Sequence, residues 1–545
     1  MSQVPFVKYI DPRLNLNQKQ QYVSAESASL ITTSLRSVNG DVGSSITINC
    51  NPPNRNICVS REVYKRVEFE VELEVKNLGT AVSTSTTLAK YSHAPAYMPV
   101  SRITLNEDIT IGNANVNQAN APIVRETTSR FQNDSYFSGT ANMNDTYLTF
   151  DGVNKSVRSA LAPYFDSTNN AGTQGNVISR NAFWNYDGND VKLETGKAQN
   201  ETQLVKVKFT VEEPLMLSPF VFGKDAKNAT ALIGIESIQY NCSFGNYDKC
   251  FSFFKDTGVN VDNSIQKVNN VKILNFGLRF TYLTPQPDYD LPRSMMYPYY
   301  EPQVRTEKVN TNVAIGADID NNSLTVQLSG IPRRMYVCMR DLDNTGSKPL
   351  RHLQLKEGSF SLKINGQNTL TGQTNKQLFD TACKNGYNLS YSQWQKYCGS
   401  IICLDFGKGD VSLLPLQVAG VNQKNEFEIS ASYTNQTGEE LKTGCQFTVI
   451  YIYDGVFRMV EGATNKLINT LTEKSVQDTK SITKLHIDHS PDNVYGGGMG
   501  GGLNLKGVSK DLSHAVSKCV EQNMGAGLEN TGGRLMSRGM LRNRY

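Results

Sequence analysis

Apolar and polar residues alternate with a period of two through much of the chain. In 67–75 every odd-numbered residue is Val, Phe or Leu and every even-numbered residue is Glu. This alternation is typical of an antiparallel strand that turns one face to a core and the other to water. The same pattern predicts further strands at 205–211, 278–283, 427–433 and 447–453. Predicted strands recur about every 10–15 residues with few helices between them, which favours β-sandwiches over a parallel sheet.

Two stretches of the chain follow the same series of events: a strand, a break marked by proline, a strand, a polar loop and a strand. The first runs through 205–211, 214–222 and 234–245, and the second through 323–328, 331–340 and 360–366. Val211 and Val326 lie 115 residues apart, and Gly245 and Gly366 lie 121 apart, so a small insertion would bring the copies into register. We interpret this echo as a duplicated β-domain, while coincidence stays open because the identity is low.

A proline-rich segment separates the two stretches. Residues 283–302 hold five prolines, which restrict themselves and the residues before them to extended geometry. We interpret the segment as an interdomain linker, and its aromatic run at 297–300 as an anchor for an interface. A long polar tract at about 112–200 is typical of a functional insertion. The predicted organisation is an N-terminal arm (1–24), a first domain (25–285), a linker (286–304), a second domain (305–462) and a C-terminal tail (463–545).

Few segments have a helical pattern. Residues 374–386 predict a helix, with Thr374 as its N-cap and an Asn-Gly pair as its stop. In the tail, the glycine run at 496–502 predicts a flexible hinge, and apolar positions in 508–520 predict an amphipathic helix. Residues 496–545 hold seven Lys or Arg against three acids, which accounts for the whole net charge of +4. The body is therefore neutral and the tail is basic.

Length and composition fit a multidomain globular protein. A chain of 545 residues with 39% hydrophobic residues is expected to form two or three domains. No run approaches the roughly 18 apolar residues of a membrane helix, so no membrane span is predicted. The start lacks the basic and apolar parts of a signal peptide, which predicts synthesis in the cytoplasm. The ten cysteines lack paired C-x-x-C spacings, so we expect reduced thiols and no zinc site.

The sequence offers little for catalysis. The motifs G-x-S-x-G, H-E-x-x-H and G-x-x-x-x-G-K-[ST] are missing, so neither an enzyme nor a cofactor is predicted. His486 and His489 form the one histidine cluster, and beside Asp488 they could supply metal ligands. We interpret them as surface residues, because they lie in a polar tail segment with no further ligand nearby. The glutamates of 67–75 share one face of their strand. A calcium site usually draws its ligands from a loop, so this face is predicted to be solvated or to meet a partner.

Five segments carry a resemblance to a known family. They lie at 331–337, 377–394, 399–407 and 447–460 in the second domain and at 213–223 in the first. These segments resemble the double jelly-roll major capsid proteins of Polinton-like, adintovirus-like, virophage-like and adenovirus-lineage DNA viruses. The resemblance implies an all-β fold of two tandem eight-stranded jelly rolls, with few short helices and a flexible C-terminal tail.

The resemblance also implies a structural shell subunit. Three chains would form a homotrimeric, pseudo-hexagonal capsomer, and capsomers would tile an icosahedral shell around double-stranded DNA in the virion. The implied partners are neighbouring capsomers, penton and minor capsid proteins, and genomic DNA or internal proteins reached by the tail. The polar tract would form an outer tower or lock the trimer. The alternative that stays open is a tandem β-sandwich binding protein, such as a lectin-like or host-attachment module.

The basic tail has two interpretations. One is a disordered, solubilising end, and the other is contact with nucleic-acid phosphates or an acidic partner, which clustered arginine with flexible glycine suits. The arginines concerned are Arg534, Arg538, Arg542 and Arg544. Residues 499–502 and the following Leu503 resemble the Met-x-Gly-Gly sites cut by adenovirus-type maturation proteases, which implies cleavage after Gly502. The alternative is an uncut tail held beneath the shell.

Overall fold

A computed structural model gives the fold for part of the chain. The described residues are 28–36, 44–52, 56–61, 63–77, 93–95, 99–128, 131, 183–186, 197–220, 231–245, 247–253, 263–283, 293–309, 312–342, 352–387, 390–392, 394–395, 399–406, 409–411, 413, 419–436, 440–460 and 462–469. They all belong to one compact unit, Ile10–Thr470. The predicted N-terminal arm, most of the polar tract and the tail from residue 470 onward lie outside the described residues.

Strands of the first domain form two main sheets. In chain order they are β1 (Ala28–Arg36), β2 (Ser45–Asn49), β3 (Cys58–Val59), β4 (Tyr64–Asn77), β5 (His93–Pro95), β6 (Thr104–Ile111), β7 (Ala114–Ala119), β8 (Phe183–Tyr186), β9 (Thr202–Pro214), β10 (Ile238–Phe244), β11 (Phe251–Phe253) and β12 (Asn263–Leu283). Two helices, α1 (Pro99–Ile103) and α2 (Ala121–Thr128), and a 3-10 turn at Tyr247–Cys250 lie among them. Sheet 1A has the order β1-β12-β4-β9-β8 with β3 beside β12, sheet 1B has the order β2-β10-β6-β7, and β5 pairs with β11.

The second domain is also built from two sheets. Its strands are β13 (Ser294–Val309), β14 (Asp318–Leu328), β15 (Arg334–Asp341), β16 (Gln354–Leu355), β17 (Ser361–Ile364), β18 (Gln367–Thr371), β19 (Ile402–Asp405), β20 (Asn425–Thr434), β21 (Cys445–Val460) and β22 (Ala463–Ile468). One helix, α3 (Asn375–Lys384), follows β18. Sheet 2A has the order β13-β21-β15-β19 with β22 beside β21, and sheet 2B has the order β14-β20-β17-β18 with β16 beside β20.

The two domains share one strand order. If the eight principal strands of each domain are numbered along the chain, the A sheet reads 1-8-3-6 and the B sheet reads 2-7-4-5 in both. All the strand pairs of these sheets are antiparallel. This arrangement of two four-stranded sheets is the jelly roll. The predicted all-β fold with two tandem jelly rolls and few short helices is therefore confirmed.

Local sequence patterns explain the strand, the turn and the helix described next. The odd-numbered residues of 67–75 are fully buried in the first core, as the alternation in β4 indicates. The β17–β18 hairpin turns at Asn365 and Gly366, both with positive φ, which is the backbone that a two-residue Asn-Gly turn requires. Helix α3 begins where it was predicted, because the Thr374 hydroxyl accepts from the Gln377 amide and the Gln377 side chain accepts from the Thr374 amide.

The register of the predicted duplication is wrong, although the fold is repeated. The first stretch of the echo begins in β9, the sixth principal strand of its domain, whereas the second begins in β14, the second strand of its domain. The counterpart of β9 is β19. The two stretches of the echo therefore lie in different parts of two similar folds.

Two boundaries differ from the predicted organisation. Residues from Ser294 onward, predicted as linker, form β13, which pairs along its whole length with β21. The prolines Pro298 and Pro302 fit there because β13 is an edge strand, where a missing N–H can face away from the ladder. Residues Ala463–Ile468, predicted as the start of the tail, form β22 against β21.

Candidate functional site at the outer faces of the A sheets

Each A sheet has an inner face towards sheet B and an outer face, and the outer faces are the surfaces available to a neighbouring domain. On β4 the inner residues from Val67 to Val75 are apolar, so the glutamates between them, predicted to be solvated or partner-facing, lie on the outer face. We call this outer face of sheet 1A the charged face. Its members are Glu68, Glu70, Glu72 and Glu74 on β4, Leu204, Lys206, Lys208 and Glu212 on β9, and Lys267 and Arg279 on β12.

Ion pairs cover the charged face. Glu70 lies 3.5 Å from the Nζ atoms of both Lys206 and Lys208, and Glu74 lies 3.1 Å from Nζ of Lys267. The three lysine side chains are 60%, 54% and 60% exposed, so each pair contributes at most about 1 kcal/mol. These exposed ion pairs keep the charged face hydrated and add little to the stability of the fold.

The outer face of sheet 2A has a different composition. All eight residues of β15 are buried, on both faces of the sheet. Met335 pairs with Tyr451, whose ring contacts Phe427 of sheet 2B, so Met335 points inward and its neighbours Arg334 and Tyr336 point outward. A strand buried on both faces must be covered by something other than its partner sheet.

A buried ion pair lies on this covered face. Arg334 on β15 and Asp405 on β19 are register partners, with Nη2 of the arginine 2.9 Å from Oδ2 of the aspartate. The two side chains are only 1% and 2% exposed. Arg334 also donates to the hydroxyl of Tyr336 at 3.3 Å. The Arg334 guanidinium is therefore shielded from water, and the Asp405 carboxylate neutralises its charge.

The cover includes residues of the first domain. The Phe131 ring lies 4.9 Å from the ring of Tyr336 and 5.5 Å from that of Tyr387, and Phe131 and Tyr387 form an isolated antiparallel bridge. Val124 of α2 and Met216, which follows β9, join the same apolar cluster. The second domain adds its own aromatic residues after β18, which are Phe379, Tyr387, Tyr391 and Trp394. The first domain therefore packs on the outer face of sheet 2A.

The second domain reaches back into the first through long strands. One end of the β13–β21 pair extends beyond β15 and β19, where β22 is its remaining neighbour in the sheet, and its side chains join the core of the first domain. They are Met295, Tyr297, Tyr299, Phe457 and Met459. The Tyr297 hydroxyl donates to the Ala231 carbonyl at 2.8 Å, and the Arg61 guanidinium lies 5.5 Å from the Tyr297 ring. The aromatic run at 297–300, predicted to anchor an interface, thus lies between the two domains of one chain.

Strand β22 adds a polar contact at the interface between the two domains, which we call the seam. The Thr464 hydroxyl accepts from the amides of Asn113 and Ala114, each at 3.0 Å, and donates to the carbonyl of Ile111. These three residues belong to the β6–β7 hairpin of the first domain. One hydroxyl of the second domain thereby bonds three backbone groups of the first.

A second buried charge cluster lies inside the first domain, between sheets 1A and 1B. Nζ of Lys65 on β4 lies 3.0 Å from Glu107 on β6, and the Tyr240 hydroxyl donates to the same Glu107 oxygen at 2.8 Å. Glu213, the register partner of Lys65, accepts from the amides of Val100 and Ser101 at 2.6 and 3.0 Å. Complete burial raises the pKa of Glu213 above its ordinary value, against the opposing influence of Lys65 and the hydrogen bonds.

The predicted site residues fall outside the part of the chain that the structure describes. They are Arg534, Arg538, Arg542, Arg544, Gly502, Leu503, His486 and His489. Within the described ranges no group of three or more His, Cys, Asp or Glu side chains could hold a metal ion, and no helix is long and apolar enough to cross a membrane. The eight described cysteines are free thiols, as predicted for them, and burial raises the pKa of Cys242 to about 12.

The sequence patterns predicted little of the seam between the two domains. Phe131 lies in a polar stretch, and Thr464 lies in a segment predicted as tail, so no local periodicity marks either residue. The available signal was the run of apolar and bulky residues in 334–339, which lacks alternation and so indicates a strand buried on both faces.

The strand order and the shared seam define a class of protein. A 1-8-3-6 sheet opposite a 2-7-4-5 sheet, present twice in one compact unit, is a double jelly roll. Two solved structures have this fold. The chain superposes on the Sputnik virophage structure with a TM-score of 0.65 and 20% identity, over 87% of this chain and 95% of that one. It superposes on the mavirus major capsid protein with a TM-score of 0.62 and 16% identity, over 88% and 97% of the two chains.

Sequence comparisons narrow the class to a family. Residues 5–273 match the family described as the Sputnik virophage major capsid protein 1st domain. The putative capsid protein V20 of Sputnik virophage is 23% identical over 521 residues, which span 89% of this chain and 83% of that protein. The first domain thus matches a virophage major capsid protein family, and the comparisons support a capsid-forming structural role for the chain rather than an enzymatic one. It is a component of the virion capsid and assembles there with other capsid subunits.

Proposed function

We propose that three copies of this chain form a pseudo-hexagonal capsomer and that such capsomers tile an icosahedral shell around double-stranded DNA. One observation carries the proposal: the same strand order occurs twice in one chain, and the two domains are joined by a buried seam. Three chains then supply six similar sandwiches, and a closed ring of six similar units makes a near-hexagonal tile.

The seam makes the pair of domains a fixed unit. Phe131 enters the second core, Tyr297 enters the first, and Thr464 bonds across them. Because each domain contributes side chains to the core of the other, the angle between the domains is set within the chain. A tile can be assembled from such units without an ordering step between the two domains.

Mass and shape together test this function. The purified chain is expected to give a trimer of three times 60.4 kDa by native mass spectrometry and flat particles with six-fold appearance in negative-stain images. A protein that stays monomeric under all salt and concentration conditions would overturn the proposal. Trimers with an elongated shape would contradict the tile while leaving the capsid role intact.

The remaining partners follow from the same proposal. The capsomer meets neighbouring capsomers, penton proteins and minor capsid proteins, and synthesis takes place in the host cytoplasm. The tail arginines are proposed to contact genomic DNA or acidic internal proteins. Deleting residues 534–545 is expected to weaken binding to duplex DNA and to flatten its salt dependence, whereas an unchanged salt dependence would contradict that contact.

Processing of the tail is a separate proposal. Cleavage after Gly502 would release residues 503–545 inside the particle. Intact-mass measurement of the virion protein distinguishes a chain that ends at Gly502 from the full-length chain of 60.4 kDa, and full-length protein alone would exclude cleavage.

A further inference from the structure

The buried charge cluster between sheets 1A and 1B brings an amine and a carboxyl group together where water is excluded. The Lys65 and Glu107 side chains are 0% and 1% exposed, and Nζ of the lysine lies 3.0 Å from Oε1 of the glutamate. The two residues come from β4 and β6, which belong to opposite sheets. Burying two ions costs desolvation free energy that can exceed their mutual attraction. Condensation of the two groups to an amide removes both charges, and this cost with them.

A hydrogen-bond donor is aimed at the carboxyl group of this pair. The Tyr240 hydroxyl donates to the same Oε1 atom of Glu107 at 2.8 Å, and Tyr240 is fully buried on β10. Burial raises the pKa of Tyr240 well above its ordinary value, so the hydroxyl keeps its proton and remains a donor. When a nucleophile adds to a carboxyl carbon, negative charge develops on the carbonyl oxygen, and a donor held at that oxygen stabilises it. Tyr240 therefore occupies the place of an oxyanion donor.

A proton relay leads away from the amine of the same pair. Nζ of Lys65 donates to Oγ of Ser101 at 3.4 Å, and this hydroxyl donates to Oε2 of Glu213 at 2.8 Å. Glu213 is fully buried and is the register partner of Lys65. Burial raises the pKa of Glu213, which brings it closer to the range in which a carboxyl group both accepts and returns a proton. Amine, hydroxyl and carboxyl group thus form one hydrogen-bonded chain.

We propose that Lys65 and Glu107 are joined by an intramolecular isopeptide bond, which the folded chain forms by itself. The bond between Nζ of Lys65 and Cδ of Glu107 forms, and the bond between Cδ and Oε2 of Glu107 breaks. Nζ gives up two protons, one directly to the Glu107 carboxylate and one through Ser101 and Glu213. Both protons end on Oε2, which leaves as water, so the step needs no oxidant, reductant or cofactor.

An exposed ion pair of similar length shows why burial matters. Lys267 lies 3.1 Å from Glu74 on the charged face, where the two side chains are 60% and 26% exposed. Water solvates both ions there, so condensation would relieve little desolvation cost. The Lys65–Glu107 pair differs because it is dry and has a donor and a proton relay beside it.

The bond would tie the two sheets of the first sandwich together covalently. Lys65 and Glu107 lie 42 residues apart, so the bond closes a loop between a strand of sheet 1A and a strand of sheet 1B. A covalent loop restricts the unfolded chain and so favours the folded state. Because the bond lies within one domain, it is independent of the proposed capsomer.

Mass spectrometry of the wild-type chain, folded at neutral pH and then denatured, tests the bond directly. The chain is expected to be lighter than its sequence by the mass of one water molecule. Trypsin should release peptide 62–66 joined to peptide 103–125, because the bond blocks cleavage after Lys65. The peptides that carry Lys267 and Glu74 should be unlinked. A chain of full mass, or a water loss that maps to another pair of residues, would overturn the proposal.

Two glutamine variants separate proton transfer from folding. Glu213→Gln keeps the size and an acceptor oxygen of the side chain but cannot relay a proton, so it is expected to slow formation of the bond at least about tenfold. Glu212→Gln, one residue earlier on the outer face, should leave the rate unchanged.

Samples taken over time after cell-free synthesis give these rates, and circular dichroism shows whether each variant is folded. A folded Glu213→Gln protein that forms the bond at the wild-type rate would contradict the relay through Glu213. The mass of the wild-type chain decides whether the bond exists even where a variant fails to fold.

Discussion

The two domains place their buried charges on opposite sides of equivalent strands. Lys65 on β4 points into its own sandwich and meets Glu107 there. Arg334 on β15 points out of its sandwich and meets Asp405 on the outer face, where Tyr336 contacts Phe131 of the first domain. The strand order is the same in both. The comparison shows that topology determines which positions share a face, while the neighbouring domain determines which face is dry.

The aromatic contact that covers the second domain should have the largest effect when removed. Phe131→Ala is expected to cost about 3–5 kcal/mol in the free energy of unfolding, because the ring is fully buried between Tyr336 and Tyr387. Urea titration followed by near-ultraviolet circular dichroism measures it. Leu204→Ala, a truncation at an exposed site, serves as the control and should cost below about 0.5 kcal/mol. Similar costs for the two variants would mean that Phe131 does not hold the seam.

The two outer ion pairs provide a matched test of burial. Asp405→Ala removes the carboxylate that lies 2.9 Å from the buried Arg334 guanidinium and is expected to cost about 3–5 kcal/mol in the free energy of unfolding. Glu212→Ala removes the partner of the part-exposed Arg279 and is expected to cost below about 1 kcal/mol. Unfolding in urea at one pH and salt concentration compares them. The comparison fails if the Glu212 variant is destabilised as much as the Asp405 variant.

The polar contact of Thr464 at the seam should have an intermediate effect. Thr464→Val keeps the shape of the side chain but removes the acceptor of the Ala114 amide, a buried residue, at a cost of about 1–3 kcal/mol. Thr464→Ser keeps the hydroxyl and should remain within about 1 kcal/mol of the wild type. Hydrogen exchange of the β6–β7 hairpin gives a local measurement. Unchanged protection in the Val variant would show that the bonds do not hold the hairpin.

The interior charge cluster predicts a small dependence on pH. The pKa of Glu213 in the folded protein is raised above the ordinary value of 4.5. The stabilisation that comes from the protonated side chain is therefore fully present at low pH and is lost as the pH rises through the folded pKa. One such group changes the free energy of unfolding by at most about 1.4 kcal/mol per pH unit. Urea titrations from pH 4 to 8 should show this fall in the wild type and in Glu212→Gln but not in Glu213→Gln. A Glu213→Gln protein with the wild-type slope would contradict the assignment.

The fold was predictable from the sequence where local pattern and burial agree. Strand β4 alternates because one of its faces meets the core and the other meets solvent, and α3 carries its own capping residues. Strand β15 has no such period, since the first domain covers its second face. Pro298 and Pro302 predict a linker but lie in β13, because an edge strand accommodates proline.

The seam could not be predicted for a different reason. Phe131 meets Tyr336 across more than two hundred residues, and Thr464 meets Ile111 across 353. Neither contact changes the pattern of apolar and polar residues around it in the sequence. Single side chains that join domains depend on three-dimensional placement, whereas strands and helices repeat their signal over many residues.

Strand β22 gives the tail a mechanical starting point. It runs antiparallel to β21 from Ala463 opposite Val460 to Ile468 opposite Gly455. A pull on the tail would therefore peel the ladder open from Ile468 one pair at a time, and would reach Thr464 and its bonds to the first domain last. A force applied to the tail would therefore break the β21–β22 hydrogen bonds before it could separate the two domains of the subunit.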